Sequence, residues 1–340
     1  MPRPSPCLSS RSLRERTIEE GLDVEKERPL MGSIIQRRSV LLRAGIRATT
    51  ALRRRGVGLR VGLGARLMRA LAESLDPNAV IEIDGIRLHP LANDRYVSAS
   101  MYAHGAYQPE LRDFIRATLR PGDVFVDGGA HIGYFTCVAA QLVGTAGRVV
   151  AFEPAPETFS VLSQNVALNG LAEQCVLYNA ALGREHAYAA LELNSENPGD
   201  NWVRVEDIPQ SKQVEVMSLS SIVAELDIAK PRLIKLDIQG MEPAALEGMQ
   251  ELIAEPCDLS LIVEYDPNAL ERAEVLPSRL VEMLLDLSFS IRAHACTGEW
   301  FDVTIPESLD GVTTAGIWAD LYCVRREDGV AIGRTQGEAK

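Results

Sequence analysis

The residues of this sequence best placed to do chemistry are carboxylates that each close an apolar run. Asp127 ends Val124-Phe-Val, and Glu153, followed by Pro154, ends Val149-Val-Ala-Phe. Asp237 ends Leu233-Ile-Lys-Leu, Glu264 ends Leu261-Ile-Val, and Asn179 closes Cys175-Val-Leu-Tyr in the same way. An ionised carboxylate can hold hydroxyls and cations or accept a proton during a reaction. A single acid at such a place is often no more than the N-cap of the next helix. Its recurrence at successive strand ends points to a shared site. Between Asp127 and the next helical pattern runs Gly128-Gly-Ala-His-Ile-Gly133. Glycine there lets backbone approach a ligand without a Cβ in the way. Gly129, Ala130, His131 and Gly133 therefore join the candidate binding positions.

The elements that must position these residues follow from periodicity. Alternating apolar residues flank Asp84-Gly85, the dipeptide favoured in two-residue turns, and predict a hairpin over 80–88. Pro109 opens a helix with Leu111, Phe114, Ile115 and Leu119 on one face. Helices are then expected over 132–143, 156–168, 219–226, 243–253 and 277–287. Strands are expected over 124–127, 148–153, 175–179, 232–237, 259–265, 289–294 and about 316–324, with a polar, strand-like stretch over 188–217. Apolar strands alternating with amphipathic helices specify an α/β fold with a mostly parallel sheet and helices on both faces. In such sheets ligands bind beyond the carboxyl ends of the strands, at the switch point. All five strand-end residues stand at that edge.

The spacing also bears on which cofactor the edge could hold. Dinucleotide sites place G-x-G-x-x-G after the first strand, so that a pyrophosphate meets bare backbone N–H groups. Asp127-Gly-Gly-Ala-His-Ile-Gly133 lacks that arrangement, and a carboxylate at Asp127 would repel a pyrophosphate. It would attract a cofactor carrying an ammonium and a sulfonium, as S-adenosyl-L-methionine does. Glu153 can accept both hydroxyls of a ribose, which nicotinamide dinucleotides share. A nicotinamide-dependent oxidoreductase and a non-catalytic, cofactor- or partner-binding relic of the fold remain as alternatives.

Composition bounds the rest. The 340 residues carry 35 Lys and Arg against 47 Asp and Glu, a net charge of −12. That charge is uneven: the first 70 residues are strongly basic and the remainder strongly acidic. An acidic body argues against nucleic acid, which needs phosphate-neutralising cations. The basic segment, with Arg53-Arg-Arg55 and Arg66-Leu-Met-Arg69, reads as a helical lead-in or as a helix for peripheral membrane contact. Six dispersed cysteines without a C-x-x-C pair suggest no disulfide framework and no zinc site. Asp237 and Glu264 have no further ligands near them in sequence, so no metal site is read. No run reaches the roughly 18 apolar residues of a membrane span, and the expected location is cytoplasmic. The expected organisation is a disordered 1–30, the basic lead-in over 31–78, a hairpin and helix over 79–120, the main domain over 121–326 and a tail over 327–340.

Taken together, the motifs resemble the FkbM-type methyltransferases. The resemblance rests on Pro121-Gly-Asp-Val-Phe-Val-Asp127-Gly-Gly-Ala-His-Ile-Gly-Tyr-Phe-Thr136, on Phe152-Glu-Pro154 and on Asn165-Val-Ala-Leu-Asn169. It continues with Leu233-Ile-Lys-Leu-Asp237-Ile-Gln-Gly-Met-Glu242 and Glu264, spanning about residues 107–267. It implies the class I, Rossmann-like methyltransferase fold, with a seven-stranded sheet whose last strand is antiparallel. It also implies S-adenosyl-L-methionine as donor and a hydroxyl of a sugar or secondary metabolite, free or in a glycan, as acceptor. In that fold the fourth strand neighbours the first, which makes Asp237 the candidate general base and Glu264 its assistant. His131 stands where the family usually has Asn, Gln239 where it has an acid, and Gln108 where it tends to have Glu.

Overall fold

The structure, a computed structural model, describes residues 41–42, 44–46, 61–194, 197–204, 213–253 and 258–325. The expectations for 1–30, for most of the basic stretch up to residue 60 and for 327–340 lie outside these residues, as do Cys7 and Cys257.

Helix α1 (Val61–Ala72) leads to a hairpin of β1 (Ile81–Ile83) and β2 (Ile86–Leu88). Asp84 and Gly85 both take positive φ in its turn, as the sequence demands. Leu71, Ala72 and Leu75 of the lead-in pack against Ala99 and Ala103 of α2 (Ser98–His104), so the described end of the basic segment docks on the body. Then come α3 (Pro109–Thr118), β3 (Val124–Gly128), α4 (Tyr134–Val143), β4 (Arg148–Phe152), α5 (Pro156–Leu168) and β5 (Cys175–Tyr178). An insertion follows, made of β6 (Ala181–Leu182), β7 (Ala187–Glu192), β8 (Trp202–Arg204) and β9 (Gln213–Met217). It forms a separate four-stranded sheet in the order β6-β9-β7-β8.

The chain returns through α6 (Leu219–Glu225), β10 (Leu233–Leu236), α7 (Glu242–Gly248), α8 (Gln250–Ile253) and β11 (Leu259–Tyr265). The single helix expected over 243–253 is thus two. Gly248 sits where a Cβ would come within 2.1 Å of the Gly183 carbonyl oxygen, and glycine holds a helix poorly. Last are α9 (Pro267–Arg272), α10 (Pro277–Asp286), β12 (Ser290–Ala295), β13 (Trp300–Val303), α11 (Asp310–Ala315) and β14 (Ala319–Arg325).

The main sheet runs β13-β12-β14-β11-β10-β3-β4-β5. Strands β5, β4, β3, β10 and β11 are parallel, and β14 is antiparallel to β11. This is the expected class I sheet, to which β13 adds an eighth strand at the edge. One face is covered by α6, α7, α8 and α10 over Val126, Ile234, Leu236 and Val263, and the other by α3, α4, α5 and the hairpin over Phe125, Val149 and Ile262. The order reverses between β3 and β10. The carboxyl ends of these two strands form the switch point.

Candidate functional site

At the switch point a lysine organises the acids. Lys235 of β10 lies in register with Asp127 of β3 and is 2% exposed. Its ammonium donates to the carbonyl oxygens of Gly128 (3.3 Å) and Gly129 (3.1 Å). It lies 3.5 Å from Asp127 Oδ1 and 3.4 Å from Asp237 Oδ2. Burial pushes the Lys235 pKa down, but Asp237 and Asp127 more than offset it and the net shift is upward. Lys235 was not singled out as a site residue in the sequence, although a lysine inside an apolar strand is a signal, since buried lysines are almost always paired.

Asp127 is wholly buried, with Oδ2 accepting from the Thr136 hydroxyl at 2.6 Å. It lines neither of the two cavities at this edge. Its Oδ1 faces the Lys235 ammonium at 3.5 Å and has no hydrogen-bond partner. The glycines of the turn are also closely packed. A Cβ on Gly129 (φ +74) would fall 1.9 Å from the Asp237 carbonyl oxygen, and one on Gly133 (φ +86) 2.5 Å from Leu162. What approaches these residues closely is the protein itself. The N–H groups of Gly129 and Ala130 both donate to the Phe152 carbonyl, at 3.0 and 2.9 Å, and that of Gly133 to the Ala130 carbonyl. The His131 N–H donates to Glu153 Oε2 at 3.0 Å. A turn with these four amides engaged offers a pyrophosphate little to bind.

Glu153 follows β4 and lines the narrower cavity, a slot of about 80 Å³ beside the turn. Its second oxygen accepts from the Ala155 N–H at 2.9 Å. Burial raises its pKa to about 7, opposed by those two amides. An ionised carboxylate has about four acceptor positions, so two are left for a ligand. Gly129, His131 and Pro154 also line the slot. Asn179 does not: exposed beyond β5, it donates to the carbonyls of Glu153 (2.8 Å) and Pro154 (3.0 Å) and braces that loop. His131 takes a left-handed backbone (φ 51), and both ring nitrogens are buried without a hydrogen-bond partner. Its Nε2 is 4.0 Å from Asp94 Oδ2. Burial holds its pKa below the usual histidine range, against the raising pull of Asp94 and Asp237. Asp94, absent from the sequence reading, is wholly buried and fixes the start of α2 by accepting from the Ser98 N–H at 2.7 Å.

The second cavity is an open cleft of about 1160 Å³ that includes Tyr96, Tyr107, Glu264, Asp266 and Trp318. Slot and cleft meet at Val97, Tyr107, Gly199, Asp237 and Gln239, which line both. Asp237 is 30% exposed at its side chain. Gln239, in a left-handed turn (φ 55), donates to Glu264 Oε2 at 2.6 Å and to Asp237 Oδ1 at 3.4 Å. The Gln239 amide therefore bridges the two candidate catalytic carboxylates. Burial and then the Asp237 charge push the Glu264 pKa well up. Asp320 of β14, opposite Glu264 in register and likewise unforeseen, is raised to about 7 by burial and by Asp237. Among the described residues, no group of three or more His, Cys, Asp or Glu is arranged to hold a metal ion. None of the described helices is long and apolar enough to cross a membrane.

Residues 127–291 match the family model of the methyltransferase FkbM domain. The chain is similar to the 31-O-demethyl-FK506 methyltransferase FkbM of Streptomyces tacrolimicus, at 29% identity over 39% of this chain and 62% of that one. It is similar to the hexuronic acid methyltransferase AglP of Haloferax volcanii, at 27% over 41% and 56%. It is also similar to the ribosomal RNA large subunit methyltransferase E of Azoarcus, at 33% over 43% and 69%. For the first three curated relatives the match spans 66%, 62% and 56% of the relative's own length, less than two thirds in each.

Proposed function

We propose, from the match of residues 127–291 to the methyltransferase FkbM domain, that the chain moves a methyl group from S-adenosyl-L-methionine to a hydroxyl of a sugar or secondary metabolite. The observation that carries this reading is the meeting of two unlike cavities at one carboxylate. The slot beside Glu153 suits a donor, the cleft beside Glu264 an acceptor, and Asp237 faces both.

The donor set fits this cofactor in kind. Glu153 keeps acceptor positions for a ribose diol, and Asp237 supplies negative charge beside the place where slot and cleft join. The engaged amides of the turn speak against the nicotinamide alternative. When bound, the sulfonium makes its methyl group electrophilic, and the remaining work falls to the protein. Glu153, Pro154, Gly129, Ala130 and His131 would hold the nucleoside, and Asn179 would hold the loop that carries Glu153. Gly133 and Asp127 would shape the turn from behind. Asp237 would take the proton of the acceptor hydroxyl as it attacks, a contribution of about 10²–10⁴-fold in comparable sites. Its Oδ2 lies 3.4 Å from the Lys235 ammonium. Glu264, with its raised pKa, would orient the acceptor through a hydrogen bond. Alignment of the two reactants in a closed site can supply about 7–11 kcal/mol more.

The test is transfer of a labelled methyl group from S-adenosyl-L-methionine to a broad panel of glycoside and polyketide hydroxyls. Ether-linked label that disappears in Asp237→Asn is the expected result. Absence of transfer across the panel, with the donor bound, would favour the cofactor-binding relic.

A further inference from the structure

The wide cleft is charged in a way that bears on which acceptor it can take. Asp200, Asp237 and Asp266 line it as charged groups, beside Glu264, whose charged form burial and Asp237 disfavour, and Asp320 is buried behind Glu264. Arg272 is the only Lys or Arg among its described lining residues. That cation is already matched, because it donates to Asp200 at 2.9 Å and lies 4.5 Å from the centre of the Trp202 ring. Polar groups add to the imbalance. The Gln239 amide is held between Asp237 and Glu264, and the Asn268 amide donates to Asp266 at 3.3 Å. The buried side-chain oxygen of Gln108, at the mouth of α3, has no donor at all. Two aromatic side chains, Tyr96 and Trp318, stand among these acceptors and offer flat apolar faces.

We propose that this cleft takes a neutral or cationic, hydroxyl-rich acceptor, such as a neutral glycoside or amino sugar, and excludes acceptors bearing a carboxylate or phosphate. The proposal rests on the methyl-transfer reading and narrows it. Hydroxyl and ammonium donors satisfy the carboxylates and the orphaned Gln108 oxygen. An anion would be brought among like charges with no free cation to meet it, which is how a site rejects a near-isosteric competitor. The same field favours the sulfonium at Asp237, so one charge distribution serves both reactants.

Binding of a matched set, a methyl hexopyranoside, its 6-carboxylate and its 2-amino analogue, to the full chain at low ionic strength tests this without requiring turnover. The amino and neutral sugars are expected to bind at least about tenfold more tightly than the carboxylate, with a gap that narrows as salt screens the cleft. Asp266→Asn removes one charge and keeps the cap that Asp266 gives α9. It is expected to narrow the gap by about threefold, as one charge several ångströms away would. A carboxylate that binds as well as the neutral sugar, a gap unmoved by salt, or a set of which no member binds would overturn the proposal. Titration of S-adenosylhomocysteine in the same buffer keeps the two ideas apart: its failure to bind would sink the donor reading, while the order of the three sugars is read without it.

Discussion

The slot beside the glycine turn and the cleft beyond Asp237 share Val97, Tyr107, Gly199, Asp237 and Gln239 and are otherwise built in opposite ways. Around the slot the chain is packed against itself. Gly129 has no room for a methyl group, Asp127 is locked to Lys235 and Thr136, and the turn's amides are engaged within the fold. The cleft is wide and half-solvated, walled by the β7–β8 connection, by α2 and by the start of α9. Its acids come from the β7–β8 connection, from β11 and from the residues that follow β10 and β11. A site that must hold one invariant donor can be rigid and local. A site for a variable acceptor is assembled from inserted segments. Perturbations should therefore act on folding at the first and on turnover at the second.

The largest effect is expected from Gly129→Ala. A positive φ and an overlap with the Asp237 carbonyl together cost more than about 3 kcal/mol. Gly316→Ala, also at positive φ but in the left-handed helical region with open space around it, should cost only about 1–2 kcal/mol. Urea denaturation of the two variants compares them directly, and equal losses would refute the close packing of the turn.

Lys235→Met comes next, at about 3–5 kcal/mol, because it strands the buried Asp127 carboxylate. Adding Asp127→Asn should recover part of that loss, and strict additivity in the double-mutant cycle would mean that the pair does not interact.

Asp237→Asn should lower turnover by about 10²–10⁴-fold while the affinity for S-adenosylhomocysteine, which lacks the sulfonium charge, is kept. Equal losses in both would assign Asp237 to binding.

The smallest effect concerns pH. Glu153 has a pKa raised to about 7, so its carboxylate is populated above pH 7 and lost as pH falls through 7. Donor affinity should accordingly fall about tenfold from pH 8 to pH 6, and this dependence should vanish in Glu153→Gln. For folding the sign is opposite. A carboxyl group whose pKa is raised in the folded state favours the native state at low pH, and that contribution fades as pH rises from the ordinary 4.5 towards 7.

The contrast also explains what could be read from the sequence. The turn could be found because its residues are adjacent, and β3, β4, β10 and β11 because their apolar runs end at acids. What the turn's residues touch was hidden. That Asp127 faces Lys235 depends on the register between β3 and β10, two strands far apart in sequence. Gly129 and Gly133 signal a close approach without saying whether ligand or protein does the approaching. Asp320 reaches Glu264 only through the antiparallel return of β14, and Asp94 enters through a short helix, Ser-Ala-Ser-Met-Tyr-Ala-His, whose pattern is too weak to predict. Gln239 read as a lost charge. In three dimensions it is a bridge.

The most direct test of a donor slot joined to an acceptor cleft is calorimetric titration of S-adenosyl-L-methionine and NAD into the wild-type chain, Glu153→Gln and Glu264→Gln at pH 8. The account requires S-adenosyl-L-methionine to bind and NAD not to. It also requires Glu153→Gln to weaken binding by about tenfold or more and Glu264→Gln to leave it unchanged. NAD binding in preference, or a Glu153→Gln variant that binds the donor like the wild type, would contradict it.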